Sequence, residues 1–539
     1  MEIINGQVWY TYTSKLFKQF DLTEAAKKLI DSDAFAFASR DNGELYYKSN
    51  NRIETRQLSY KLNATGTGMK VSGHSDFVDS KQNNYTLLSF WKDIALKLSR
   101  LRLFSDGFGF PEDFIRAFMN PIFIRIGADK EYREFIPYVN LYSSGLIQTT
   151  LIPMNESDGE SLYPFITDSV NLAMRGITSV LATKAYTKEL LRIDYDCSGI
   201  FKKLREFKYL MTLDKNLELF RKEHEAGIEK LTVYEHVLGP SILLSDICLG
   251  IMDVCGNILS RHRTTTPEYW LQKSIRPVFR NGTWRGKPCV YIKEHTNQKK
   301  LSNENIEHNK TLVQSVMTRC FLKDGSDSST KPLVDLRLLN DYSHFNSFGV
   351  SLSIASDSAL EALKTLKSFT FDNIIADCQI KNEIAEYINS SYESFIDAIG
   401  HCNTNTTLSE LSLELILFEE RMIRSSSNSG EIAHFIGTLK NEDTIKNNLS
   451  ILTGKITSTD KLLDLTDRIK KDQLNKTLTI LFGVIASATL SPELIQPAVK
   501  SLGIESINAT DFEMPLKAIC TTAALVIVFV IVWCVSKLK

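Results

Sequence analysis

The chain has 539 residues, 43% of them apolar, and 63 basic side chains against 64 acidic ones, a formal net charge of −1. That length accommodates about three or four domain-sized units. The charge balance excludes bulk nucleic-acid binding, so direct contact with nucleic acid is not expected and a charged partner must be met by a local patch. The nine cysteines are scattered and form no CxxC pair, which reads as reduced, buried thiols.

The opening, "MEIINGQVWYTYTSK", lacks a basic stretch followed by an apolar run. A cleaved secretory signal is therefore not expected, and the bulk of the chain is expected in the cytosol. Residues 1–370 read as a mixed α/β region and a candidate ligand sensor. Within it, Asn42-Gly43 between two β-rich runs predicts a hairpin. "LLSFWKDIALKLSRLRLF" predicts an amphipathic helix, and Phe135–Met154 predicts strands. Residues 198–262 read as mostly helical. Their apolar part, "PSILLSDICLGIMDVCGNILS", carries Asp246 and Asp253 and predicts a buried helix of a folded body. "KDGSDSSTKP" predicts a loop, and "SFGVSLSIAS" a strand.

"SIRPVFRNGTWRGKPCVYIK" concentrates Arg276, Arg280, Arg285 and Lys287 around an Asn281-Gly282 turn, with Trp284 among them. Guanidinium groups suit phosphate and indole rings suit stacking, so the five residues form a candidate site for an anionic, base-bearing ligand. The competing reading is a solvated hairpin. No Walker loop, dinucleotide fingerprint or HExxH motif occurs, and no nucleophile–histidine arrangement can be named. No catalytic residue is assigned, and an enzyme is not expected.

Residues 371–458 predict an antiparallel helical bundle. One helix opens at a capping Asp372 and closes at Gly400. A second opens at Thr407, with Glu410 at capping-box spacing. After "SSSNSG", helical pattern resumes over 431–449. From Thr459 or Asp460 the pattern runs unbroken toward "NKTLTILFGVIASATL", predicting a stalk helix that continues into a first membrane span over 459–504. Residues 505–515 form a short acidic loop, and 516–539 a second span with a basic tail. Leu516–Val535 carries one charge, at its edge, and approaches the roughly 20 residues a bilayer demands. The basic flanks predict N- and C-termini on the cytosolic side. The fold class expected is thus an α+β cytosolic body with a helical stalk and a C-terminal two-helix transmembrane hairpin, a multi-pass protein of the inner membrane.

In the first span Asn475, Thr479, Phe482, Ala486, Thr489 and Glu493 recur at spacings of four and three and share one helix face. That face fits either helix packing or a pore lining.

This C-terminal plan resembles the CorA-type divalent-cation channel family over about the last 90 residues. The family's Gly-Met-Asn selectivity motif is degenerate here, where Leu502, Gly503 and Ile504 stand. In size and in that degenerate loop the chain resembles the divergent large branch associated with type III CRISPR systems. The resemblance implies a homopentamer in the lipid bilayer, gated by a nucleotide second messenger of the S-adenosylmethionine–AMP type. Its output would be ion flux or membrane leakage in antiviral defence. It also implies a pore lined by the stripe above, an outer mouth ringed by Glu505, Asp511 and Glu513, and possible permeation of a divalent cation such as Mg2+. The alternatives are a constitutive magnesium channel and a membrane-anchored enzyme with an unrecognised active site.

Overall fold

The computed structural model describes residues 3–501 except 17–18, 63–68, 81–83, 105–111, 194–201, 227–228, 240, 261–279, 324–332, 366–369 and 427–429, together with 522, 526 and 530. The chain divides into two compact units. One comprises 1–398 and 413–452, the other 399–412 and 453–539.

The first unit is an α+β body built on a 15-stranded mixed sheet. Its strands are β1 (Ile3–Leu16), β2 (Phe35–Arg40), β3 (Glu44–Ser49), β4 (Arg52–Gln57), β7 (Phe114–Met119), β8 (Ile122–Ile126), β9 (Arg133–Tyr142), β10 (Leu146–Pro153), β11 (Ser157–Ser161), β12 (Ile177–Ala182), β13 (Arg221–Ala226), β14 (Glu229–Val237), β15 (Arg280–His295), β16 (Tyr342–Asn346) and β17 (Ser351–Ala355). A separate small hairpin pairs β5 (Ser59–Leu62) with β6 (Met69–Ser72). The main path runs β13-β14-β12-β8-β9-β10-β1-β15-β17-β16, with β7 branching from β9 and leading to β2, β3 and β4. All of these pairings are antiparallel except β15 with β17. The expected hairpin at Asn42-Gly43 joins β2 to β3, and Gly43 takes a φ of +90°, the left-handed region that glycine enters without steric cost.

Helices α1 (Leu22–Asp31), α2 (Ser75–Ser80), α3 (Asn84–Leu103), α4 (Lys184–Ile193), α5 (Lys202–Leu217), α6 (Leu244–Ser260), α7 (Ser302–His308), α8 (Lys310–Thr318), α9 (Asp357–Thr365) and α10 (Phe371–Gly400) belong to the body and its exit. They are followed by α11 (Asn405–Ser426), α12 (Gly430–Lys440) and α13 (Asp443–Ser501). The buried helix expected from "PSILLSDICLG…" is α6. The expected helical stretch around it is interrupted by the strand pair β13–β14.

Strand alternation gives the sheet two unlike faces. Val8, Tyr10 and Tyr12 of β1, Val139 and Leu141 of β9, Ile147 and Leu151 of β10, and Val290 and Ile292 of β15 join one apolar core with α1 and α6. The intervening residues are polar or aromatic: Thr11, Arg116, Tyr138, Asn140, Gln148, Thr150, Arg285, Lys287 and Tyr291. All are buried as well. What covers them is α10, a 30-residue helix whose positions 373–390 are buried on every side.

The α13 helix spans 59 residues, about 88 Å at 1.5 Å per residue. It starts at Asp443, ahead of the expected start at Thr459. The helical run expected over 431–449 breaks at Asn441 and Glu442, where the backbone N–H groups turn back to Thr438 and Leu439. Within the second unit, Asn405 reaches Asp464 and Asp467 of α13.

The transmembrane hairpin is corrected by the structure. Among the described residues, no helix is long and apolar enough to cross a membrane. The described side chains of α13 are heavily charged from Asp460 to Lys476, and the expected first span enters them only from Thr477 onward. The expected second span, 516–539, lies outside the described residues apart from 522, 526 and 530. With the hairpin falls the expectation of a multi-pass inner-membrane protein of CorA-like architecture. The fold described is an α+β body with a large mixed sheet and long C-terminal helices.

Candidate functional site

Helix α10 carries Asp377, Gln379, Lys381, Asn382, Glu383 and Glu386 inside the body. At about 3.6 residues per turn, Asp377 and Lys381 share one side, while Gln379, Glu383 and Glu386 point broadly the opposite way. The helix is therefore polar on two sides, and each side meets a polar partner surface.

On the first side, Lys381 Nζ donates to Asp377 (2.7 Å), to Tyr342 (3.0 Å) and to Glu431 of α12 (2.9 Å). Arg337 joins the cluster, pairing with Asp377 at 3.5 Å, with Asp341 at 2.9 Å, and with Glu431. Tyr342 donates its hydroxyl to Asp377. Burial raises the Asp377 carboxyl, but Lys381 and Arg337 outweigh it and hold the group far below the usual carboxylate range. Burial pulls the Lys381 ammonium down, against the pull of Asp377.

On the opposite side, Arg116 of β7 donates to Glu383 Oε2 at 2.9 Å and to Asn140 at 2.9 Å, and meets Asp93 of α3 at 3.4 Å. Tyr138 gives its hydroxyl proton to Glu383 Oε1 at 2.6 Å. Asp93 also accepts from Ser39 (2.7 Å) and pairs with Lys97 (3.4 Å). Burial opposes the charge on Arg116, yet Glu383 and Asp93 raise its pKa above the ordinary value. Gln379 links β1, β9 and β10, donating to Thr11 (3.1 Å), Tyr138 (2.9 Å) and Thr150 (3.3 Å) while accepting from Tyr291 (2.7 Å).

One turn on, Glu386 lies 2.9 Å from both Arg285 and Lys287 of β15. Arg285 also reaches Glu393 at 2.9 Å, and Lys287 donates to Asn346 and to the Ser347 carbonyl. Asn346 in turn donates to Glu442, the residue just before α13 (3.2 Å). Burial raises Glu386, but Lys287 and Arg285 bring it below its ordinary value. The Glu442 carboxyl is pushed up to about 7 by burial, only partly offset by Lys287 and Asn346.

Of the sequence-expected ligand patch, Arg285 and Lys287 come together on Glu386. Alternation along β15 sets Arg285 and Lys287 against α10, while Trp284 leans on Tyr12 of the other face (ring centroids 5.9 Å apart) and is 44% exposed. Arg280 begins β15, and its side chain is outside the described set. Arg276 lies outside the described residues. Of the expected pore stripe, Asn475, Thr479, Phe482 and Ala486 are exposed on α13, and the Thr479 hydroxyl bonds the Asn475 carbonyl of its own helix at 2.8 Å. Thr489 and Glu493 fall within α13, but their side chains are not described. Leu502, Gly503, Ile504, Glu505, Asp511 and Glu513 lie outside the described residues. Among the described residues no group of His, Cys, Asp and Glu is arranged to hold a metal ion.

Sequence reasoning missed the polar side of the sheet and the helix that seals it. The signal was present in "QVWYTYT", where every second residue is polar or aromatic, and more weakly in Gln148 and Thr150 of "LIQTTLI", but such alternation ordinarily marks a strand with one solvated face.

A cavity of about 340 Å³ opens beside the first turn of α10, lined by Trp9, Leu88, Trp91, Lys92, Asn373 and Ala376 among others. Its size is that of a small-molecule site.

No family matches. Neither a protein-family model, nor a curated protein, nor a solved structure resembles the chain detectably.

Proposed function

We propose that the chain is a non-catalytic, ligand-responsive effector in which α10 is the relay. The observation that carries this reading is the ionic seating of α10. One helix is tied by buried ion pairs to β7 and to β15, and by a partly buried one to α12. Replacing such pairs by packed apolar residues is often neutral or stabilising, so buried ions contribute little to stability for their cost. What they supply is a defined seat: any displacement of α10 must break a charge pair in a dry environment and re-form it elsewhere. An element held that way favours discrete positions over gradual drift.

The ends of α10 are placed to use this. Its first turn borders the cavity, where a ligand can reach it. Its middle binds Glu431 of α12 directly, and its Glu386 cluster touches Glu442 at the start of α13. The ligand we propose is a small nucleotide-type second messenger. The membrane pore expected as the output is withdrawn with the hairpin, and the proposal covers sensing and relay.

A double-mutant cycle tests the relay. Arg116 pairs with Glu383, one turn of α10 before Glu386, and among the described residues no hydrogen bond or ion pair joins Arg116 to Glu386 itself. Unrelated sites add within about 0.5 kcal/mol. The relay predicts that Arg116→Met and Glu386→Gln deviate from additivity by more than that in urea unfolding of the full chain; strict additivity would count against it.

A further inference from the structure

The cavity at the first turn of α10 has chemistry of its own. Trp9, on β1 and 2% exposed, forms a fixed wall, its indole nitrogen donating to Gln7 at 3.0 Å. Trp91 of α3 is 48% exposed at the rim, beside Leu88. Between them stands Lys92, its ammonium 5.7 Å from the Trp9 ring centroid and 4.0 Å from the Asp372 carboxylate. That ion pair is at the outer limit of contact, and its aspartate side chain is 57% exposed. A ligand anion can therefore take the lysine at little cost, because Asp372 can return to water. Asn373 commits its Oδ1 to the Thr370 backbone N–H at 2.8 Å, which leaves its amide NH2 as a donor on the cavity wall.

We infer that this cavity, lined by Trp9, Trp91, Lys92 and Asn373, binds a planar aromatic ligand carrying an anionic group. The Trp91 indole supplies the stacking surface, Trp9 the apolar wall behind it, Asn373 a donor for a ring heteroatom, and Lys92 the charge. The site rests on the ligand-responsive reading above and gives it an entry point. Ala376, on the cavity wall, is the residue before Asp377, so an occupant that shifts the first turn of α10 bears directly on the Lys381–Arg337 cluster.

The test uses the purified full chain and three probes: adenosine 5′-monophosphate, adenosine and inorganic phosphate, each titrated against intrinsic tryptophan fluorescence and by calorimetry. The monophosphate is expected to bind saturably, tighter than either fragment. Trp91→Ala should weaken it about tenfold or more, as loss of one stacking partner does. Lys92→Met should weaken the monophosphate and leave adenosine unchanged. Leu88→Glu, a half-exposed rim substitution that keeps the fold independent of Trp91, should also weaken the monophosphate. Trp284→Phe, on the other face of the sheet, should bind as the parent does. The inference is overturned if the monophosphate does not bind, if its affinity is the same in Trp91→Ala, Lys92→Met and Leu88→Glu, or if phosphate alone binds as tightly. Failure here is separable from failure of the relay, because the Arg116–Glu386 cycle is read with no ligand present.

Discussion

Arg116 on β7 and Glu383 on α10 meet at 2.9 Å with only 1% and 2% of their side chains exposed. They are 267 residues apart in sequence, and their pairing clamps the central helix onto the sheet. Removing one partner leaves the other charged and dry. Arg116→Met should therefore cost about 3–5 kcal/mol. The double variant Arg116→Met/Glu383→Met should recover more than half of that loss, as urea unfolding of both would show.

Close packing of β1 against β15 makes a second, independent prediction. A Cβ added at Gly286 would lie 2.1 Å from Cδ1 of Tyr12, whose ring is buried between Trp284 and the core. The ring has no open direction in which to retreat. Gly286→Ala should destabilise the body by about 1–3 kcal/mol through overpacking, and the loss should shrink when Tyr12→Leu is added.

Glu442 gives a pH signature. Three carboxylates, Glu386, Glu393 and Glu442, crowd two cations, Arg285 and Lys287, beside Asn346. Because burial raises the folded-state pKa of Glu442 to about 7, the folded chain holds a proton that the unfolded chain has released above the ordinary glutamate range. The stabilisation is complete below the unfolded value and is lost as pH rises toward about 7. Its size is of the order of 3 kcal/mol. Glu442→Gln should flatten this limb of the stability–pH curve and be more stable than the parent above pH 7, with thermal melts across pH as the measurement.

At the start of α1, Asp21 caps the helix by accepting from the N–H groups of Thr23 (2.8 Å) and Glu24 (3.0 Å). Asp21→Ala should cost about 1 kcal/mol, and Asp21→Asn much less, in the same unfolding assay.

The helices of the body were legible where their period was clear. The "LLSFWKDIALKLSRLRLF" segment is α3, the apolar segment ending at Ser260 is α6, and the segment expected to open at a capping Asp372 is α10, which starts one residue earlier with Asp372 in its first turn. Hairpin chemistry at Asn42-Gly43 was equally local. Long-range pairing was not legible. Arg285 and Lys287 read as ligand groups because a lysine or arginine in a strand is ordinarily solvated, and nothing in β15 announces Glu386 about 100 residues later. The same holds for α10, whose Asp, Lys and Glu residues fit a surface helix by composition. Its burial follows from a sheet that presents polar side chains inward. The apolar C-terminal runs drew the reading toward a membrane hairpin, because hydropathy registers a stretch without its context.

The most direct measurement is hydrogen exchange on the full chain and on Glu386→Gln, without ligand. The relay account predicts faster exchange in α10 and also in α12 and the first turns of α13, residues 430–452, with the β2–β4 end of the sheet unchanged. Faster exchange confined to α10 and β15 would contradict it, because the ionic seating would then be local structure with nothing passed on.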